Sequence, residues 1–298
     1  MKTEGYTHYL QSEKLGENSI REHLINMERF CKWAAQQQFK EIDHITYTEL
    51  LEYVKHEKEK GLKVQTIKLR LNSLHKYYEY LKHIGLIEKN PTKKIKLKGE
   101  LKTITQNVLS YTELEQLYND YHSQEIKASR NKLSPYTKQK NVVLLGLMIW
   151  QGAVSGEIEK LTVEHVNLNQ GTIYIPRQGR GASRELKLFP NQVLQLYKYI
   201  HEARPKLISP SGGVGVGLIP GNINNHLFDL MQELKGLNQK IHNASQLRTS
   251  IIIHWLKVHG KRQAQYMAGH KYISSTERFE LQEIDSLTDT LLKHHPFS

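Results

Sequence analysis

Apolar residues recur at helical spacing over most of the chain, and the period drops to two in one stretch. In residues 19–38, Ile20, Leu24, Met27, Cys31 and Ala34 share one stripe behind an Asn18-Ser19 cap, which predicts an amphipathic helix. Thr46-Tyr47-Thr48-Glu49 opens a second helix carrying Leu50, Tyr53 and Val54, and Gly61 closes it. A third places Ile67, Leu71, Leu74, Tyr78 and Leu81 inward, with Lys63, Lys68, Arg70 and Lys76 outward. Gly85 and Asn90-Pro91 stop this pattern. The stretch from Thr92 to Gly99 is too short and too basic to build a core, so it reads as a linker.

Beyond it, Leu109-Ser110-Tyr111-Thr112-Glu113-Leu114 has the form of a capped helix start, and Tyr136–Trp150 that of a buried helix. Alternation then takes over at Val166, Leu168, Thr172–Ile175 and Leu186–Leu188. With Asn169-Gln170-Gly171 as a turn, a small antiparallel sheet of two or three strands is predicted. Pro190–Ala203 is helical again. Ser209–Gly221, rich in Gly and Pro, reads as a loop; it fits neither a dinucleotide fingerprint nor a phosphate loop. Ala244–Phe279 reads as helix, turn at Gly260, helix, turn at Gly269-His270, and a last helix. Beyond Phe279, Ile284, Leu287, Leu291 and Leu292 form an apolar stripe suited to packing on the same domain or on a neighbouring copy.

At 298 residues the chain has room for two modest domains. Its 42 Lys and Arg against 30 Asp and Glu give a net charge of +12, which favours a polyanionic partner, nucleic acid first, over lysines that only solvate helices. The lone Cys31 excludes an internal disulfide framework and fits a reducing compartment. Residues 1–18 are polar and charged, unlike a signal peptide, and Val142–Trp150 is about half a membrane span. A cytoplasmic, nucleoid-associated protein with no membrane partner is expected.

Arg248 lies in an apolar helix, where a charge must meet an anion or a carboxylate. Ser245-Gln246-Leu247-Arg248, Ala268-Gly269-His270 and Thr276-Glu277-Arg278-Phe279 have the spacing of the His-x-x-Arg, Leu-Gly-His and Thr-x-x-Tyr motifs of the tyrosine recombinases, or phage-type integrases. The chain closely resembles that family from Gln246 to Phe279. More weakly, the order of helices before Asn90-Pro91 resembles its core-binding domain.

The resemblance implies a mainly α fold. Residues 1–99 would be an N-terminal helical core-binding (SAM-like) domain, with a basic linker to about 108. Residues 109–298 would be an α-rich integrase-type catalytic domain with a small antiparallel β-sheet. It also implies transesterification at a DNA phosphate without metal or other cofactor, through a Tyr nucleophile, two Arg clamps, a hairpin Lys acid and two His. Carried over, Arg248 is the second Arg, His270 the second His and Arg180 the hairpin cation. Val154 stands at the first Arg, Ser245 at the first His with His242 upstream as a substitute, and Phe279 at the nucleophile. Arginine keeps charge but is a poor proton donor at neutral pH, and Phe279 offers no hydroxyl. Tyr272, just past His270, is a candidate substitute nucleophile.

DNA contacts are expected from Lys63, Arg70, Lys76, Lys94 and Lys96. The partners implied are double-stranded DNA, further copies of the chain as a dimer to tetramer on DNA, and a catalytically complete recombinase. The expected role is site-specific recombination or integration of a mobile element with impaired chemistry, and whether the chain acts as an enzyme stays open. The alternatives are a helical DNA-binding regulator without catalysis, or an active recombinase carrying a Tyr-to-Phe change.

Overall fold

The computed structural model describes residues 3–39, 41–97, 108–124, 133–208 and 217–280. The chain divides into two compact units, Met1–Lys102 and Thr103–Ser298.

The first unit packs α1 (Thr3–Ser12), α2 (Glu17–Gln36), α3 (Tyr47–Glu59) and α4 (Val64–His83) around one core. The helix start expected at Thr46 is a capping box: the Thr46 amide donates to Glu49 Oε2 at 2.6 Å, and the Glu49 amide donates to Thr46 Oγ1. Such caps contribute about 1 kcal/mol each. The inward stripe of α4 is as predicted, with Ile67, Leu71, Leu74, Tyr78 and Leu81 buried.

The first unit departs from the sequence expectations in three places. α2 starts at Glu17 behind Gly16, not at Asn18-Ser19, and its buried face runs through His23, Met27, Phe30 and Trp33 while Leu24 and Cys31 are only partly covered. The large rings displace the aliphatic stripe because they bury more surface per residue. α1 lies in a stretch whose sequence is polar and charged, yet its Tyr6 and Leu10 are fully buried, and Tyr6 meets Tyr77 edge to face at 5.2 Å. Nor is the start of the basic segment a free linker. Asn90 caps a 3-10 turn at Pro91–Lys94, Thr92 is buried, and Ile95 and Leu97 pack on the core. The rest of that segment lies outside the described residues.

In the second unit, α5 (Tyr111–Ser123) begins with the Ser110–Glu113 capping box. α6 (Ser134–Trp150) is buried at every position from Lys140 to Trp150, as a helix apolar on all sides must be. After α7 (Ser155–Ile158) come β1 (Val166–Asn167), β2 (Thr172–Ile175) and β3 (Arg184–Lys187), antiparallel in the order β1-β2-β3 with Ile173 opposite Leu186. The helix predicted over Pro190–Ala203 runs further, as α8 (Pro190–Lys198), a π turn (Tyr199–Ala203) and α9 (Arg204–Ile208).

The Gly-rich stretch read as loop is partly core: Leu218 and Ile219 are buried, and Gly217 bridges Thr162. Residues 209–216 lie outside the described residues. α10 (Ile223–Leu237), capped by Asn222, was not foreseen. α11 (Ala244–Met267) is broken at Gly260, whose φ of 74° only glycine adopts freely, and the last helix covers residues 274–280. The stripe at Ile284, Leu287, Leu291 and Leu292 lies outside the described residues. Among those described, no helix is long and apolar enough to cross a membrane.

Candidate functional site

The site is built where α7, β3, α11 and the last helix approach one another. The turn Gly152–Glu157 sends Glu157 inward; it is 4% exposed, and its Oε2 accepts the Val154 amide at 3.0 Å. On β3, inward positions alternate, so Arg184 points to the same side as Leu186. Its buried guanidinium holds Glu157 through both oxygens, Nη1 to Oε1 at 2.6 Å and Nη2 to Oε2 at 3.1 Å. Arg248, a turn into α11, donates to the carbonyl oxygens of Gly152 and of Ala268, the latter at 2.7 Å. It stands 3.8 Å from Glu157 Oε2.

Gly269 locks these elements together. Its carbonyl accepts the Ala182 amide at 2.9 Å, which ties the 178–182 hairpin turn to the segment carrying His270. Its φ is 66°, and a Cβ there would collide with Arg184 Nη1 and lie 2.9 Å from Ala182 O. Only glycine fits, for backbone and for space. Beyond it, His270 Nδ1 pairs with the Thr276 hydroxyl at 2.9 Å, and the His270 ring stacks on Phe279 with 5.8 Å between centroids.

Two guanidiniums thus share one carboxylate, in a place poor in water. Burial pushes Arg248 down to about 10, with Arg184 adding to the shift and Glu157 opposing it, so it stays charged at neutral pH. Burial, then Arg248 and Arg184, push His270 down to about 4. His270 is therefore a neutral imidazole near pH 7, able to accept or pass a proton but adding no charge. What remains is one positive charge in excess, on a side chain that is 18% exposed at Arg248 and closed at Arg184. Such a place suits an anion.

Of the residues expected in a site, Arg248, His270 and Phe279 come together here. Val154 is half-buried in the turn, and only its amide meets Glu157. Arg180 is exposed, two residues before the Ala182 anchor. Ser245 and His242 are exposed at the start of α11, and Tyr272 is exposed past His270. Glu157, Arg184 and Thr276 were not singled out from the sequence. The signal for Arg184 was available: it is a charge at an inward position of an alternating strand.

In the first unit, Lys63, Lys94 and Lys96 are exposed. Lys76 pairs with Glu13 at 2.8 Å. Arg70 is different, since its guanidinium is tied to the buried Glu57 and only 16% of the side chain is exposed. It is a structural ion pair more than a free surface cation.

Residues 3–85 match the phage integrase N-terminal SAM-like domain. Over nearly the whole chain, tyrosine recombinase XerC of Bacillus licheniformis is 26% identical across 304 residues, covering 98% of this chain and 95% of that protein. Over nearly its whole length the chain is therefore similar to tyrosine recombinases. Among solved structures, XerH site-specific recombinase bound to its difH substrate, in a pre-cleavage complex, superposes with a TM-score of 0.67 at 17% identity, over 96% of this chain and 84% of that one. A lambda integrase tetramer bound to a Holliday junction gives 0.62 at 14% identity, over 91% and 77%. At these identities the structures carry the tyrosine recombinase fold, mostly helical with a small antiparallel sheet, and no more.

Proposed function

We propose that this chain is a tyrosine recombinase family member that binds duplex DNA and acts in site-specific recombination or integration of a mobile element, with its own strand cleavage disabled. The observation that carries the reading is Phe279. The last helix stacks its ring on His270, it occupies the position that the motif resemblance gives to the nucleophile, and the ring has no oxygen. In-line attack on a phosphorus needs that oxygen. Arg248 binds a phosphate, neutral His270 supports it by hydrogen bonding, and Arg180 adds charge from the hairpin turn. Val154 and Ser245 supply neither the other clamp nor the other imidazole.

Residues 1–99 serve as the DNA-binding domain, with Lys63, Lys94 and Lys96 on the phosphate backbone, and 109–298 as the catalytic-type domain. The protein works in the cytoplasm on nucleoid DNA, as a dimer or tetramer assembled there, and draws on a catalytically complete recombinase for cleavage. Solved structures of similar fold on DNA, XerH on its difH substrate and a lambda integrase tetramer on a Holliday junction, support this assembly. A purely regulatory role is favoured by the same missing oxygen; it differs in needing no second recombinase. A binding titration tests the core of the reading. Duplex affinity should fall steeply with salt, because several Lys and Arg release counterions. Affinity that is flat in salt would contradict it.

A further inference from the structure

Two arginines and one carboxylate meet in the site, and the carboxylate is not shared equally. Glu157 gives both oxygens to Arg184, at 2.6 and 3.1 Å, while Arg248 stands 3.8 Å away and spends its donors on the carbonyls of Gly152 and Ala268. Arg184 is fully enclosed and cannot meet a ligand itself, and its Nε has no hydrogen-bond partner among the described residues. Arg248 is the guanidinium with an open side. A free carboxylate this close would turn to it and cancel its charge, because opposite charges in a dry pocket attract far more strongly than in water.

We propose that Arg184 is a positioning residue that keeps Arg248 available to a phosphate by holding Glu157 to itself. It rests on the reading of Arg248 as a phosphate ligand. Glu157 has its own reason to remain, since its Oε2 accepts the Val154 amide and fixes the turn. The turn thus keeps its carboxylate, and β3 supplies the cation that neutralises it. Gly269 makes room for this, because any side chain there would collide with Arg184 Nη1.

Charge counting separates this account from a merely structural ion pair. The wild-type set of Arg184, Arg248 and Glu157 carries one positive charge in excess. Arg184→Gln carries none, Glu157→Gln two, and the double variant one again. The test is a titration of the full chain with inorganic phosphate, followed through the His270 ring resonances by NMR. Arg248→Gln is the control, and a thermal melt of each protein is recorded alongside.

Arg184→Gln should weaken phosphate binding tenfold or more. Adding Glu157→Gln to it should restore binding to within about threefold of wild type, and Glu157→Gln alone should bind at least as tightly as wild type. A structural pair would lower stability in all three variants without this order. If Arg184→Gln binds like wild type, or the double variant stays as weak as Arg184→Gln, the proposal is overturned. Should Arg184→Gln fail to fold, weaker binding by Glu157→Gln than by wild type still overturns it. A wild-type chain silent toward phosphate removes the phosphate role of Arg248, and this inference with it.

Discussion

The rings of His270 and Phe279 lie nearly parallel, 10° apart in plane with 5.8 Å between centroids. His270 is held from its other side by the Thr276 hydroxyl, so the three residues fix one face of the site. Because burial and two arginines hold this imidazole neutral, its ring should titrate near pH 4 rather than near the ordinary 6.5. The sign follows: the unfolded chain takes up the proton first, so stability is complete above about pH 6.5 and is lost as pH falls toward 4. His270→Gln should lose that part of the acid sensitivity, seen as a shallower fall in melting temperature between pH 6.5 and 4. A ring that titrates near 6.5 by NMR would contradict the described surroundings.

Gly269→Ala should destabilise the second unit by about 2 kcal/mol, combining positive-φ strain with the collision at Arg184 and Ala182. Denaturant unfolding measures it. A loss below about 0.5 kcal/mol would mean that hairpin and α11 move apart easily.

Arg70 and the exposed lysines of the first unit should separate cleanly in experiment. Arg70→Ala leaves Glu57 buried without its main partner, so it should cost about 3 kcal/mol of stability. Lys94→Ala and Lys96→Ala should leave the melting temperature alone. Each should instead lower the salt slope of DNA binding by about one. The opposite pattern, a stable Arg70→Ala protein with an altered slope, would place Arg70 on DNA.

Much of this was legible in the sequence, and the gaps have physical causes. The capping boxes at Thr46 and Ser110 announced α3 and α5 because a side chain and its backbone partner lie three residues apart. The sheet was readable from alternation around Gly171. α1 escaped because, among its described side chains, Tyr6 and Leu10 are the buried ones, too few to stand out from a polar segment. In the site, the resemblance of three short motifs to those of the tyrosine recombinases singled out Arg248, His270 and Phe279. It could not reveal that Arg184, 64 residues before Arg248, shares Glu157 with it, because that depends on how β3 meets α7. Arg70 shows the converse: a cation on a polar face by periodicity, yet bent onto a buried carboxylate from α3.

If Val154 and Ser245 disable the chemistry as well as Phe279, single repairs should return little, since groups that act together are not additive. Phe279→Tyr alone should then form at most traces of a covalent link. Combining it with Val154→Arg and Ser245→His should be needed for a clear one. Full adduct formation by Phe279→Tyr alone would show that the remaining groups, Arg184 among them, suffice.

The central claim is that the chain as it stands grips DNA without cutting it, and a suicide substrate tests this most directly. Such a duplex traps any protein that becomes joined to it, and a denaturing gel then displays the joined species. The account predicts no shifted band for the unmodified protein at concentrations where it binds the same duplex fully. A denaturation-resistant band, mapped to Tyr272 or to any other residue, would contradict it.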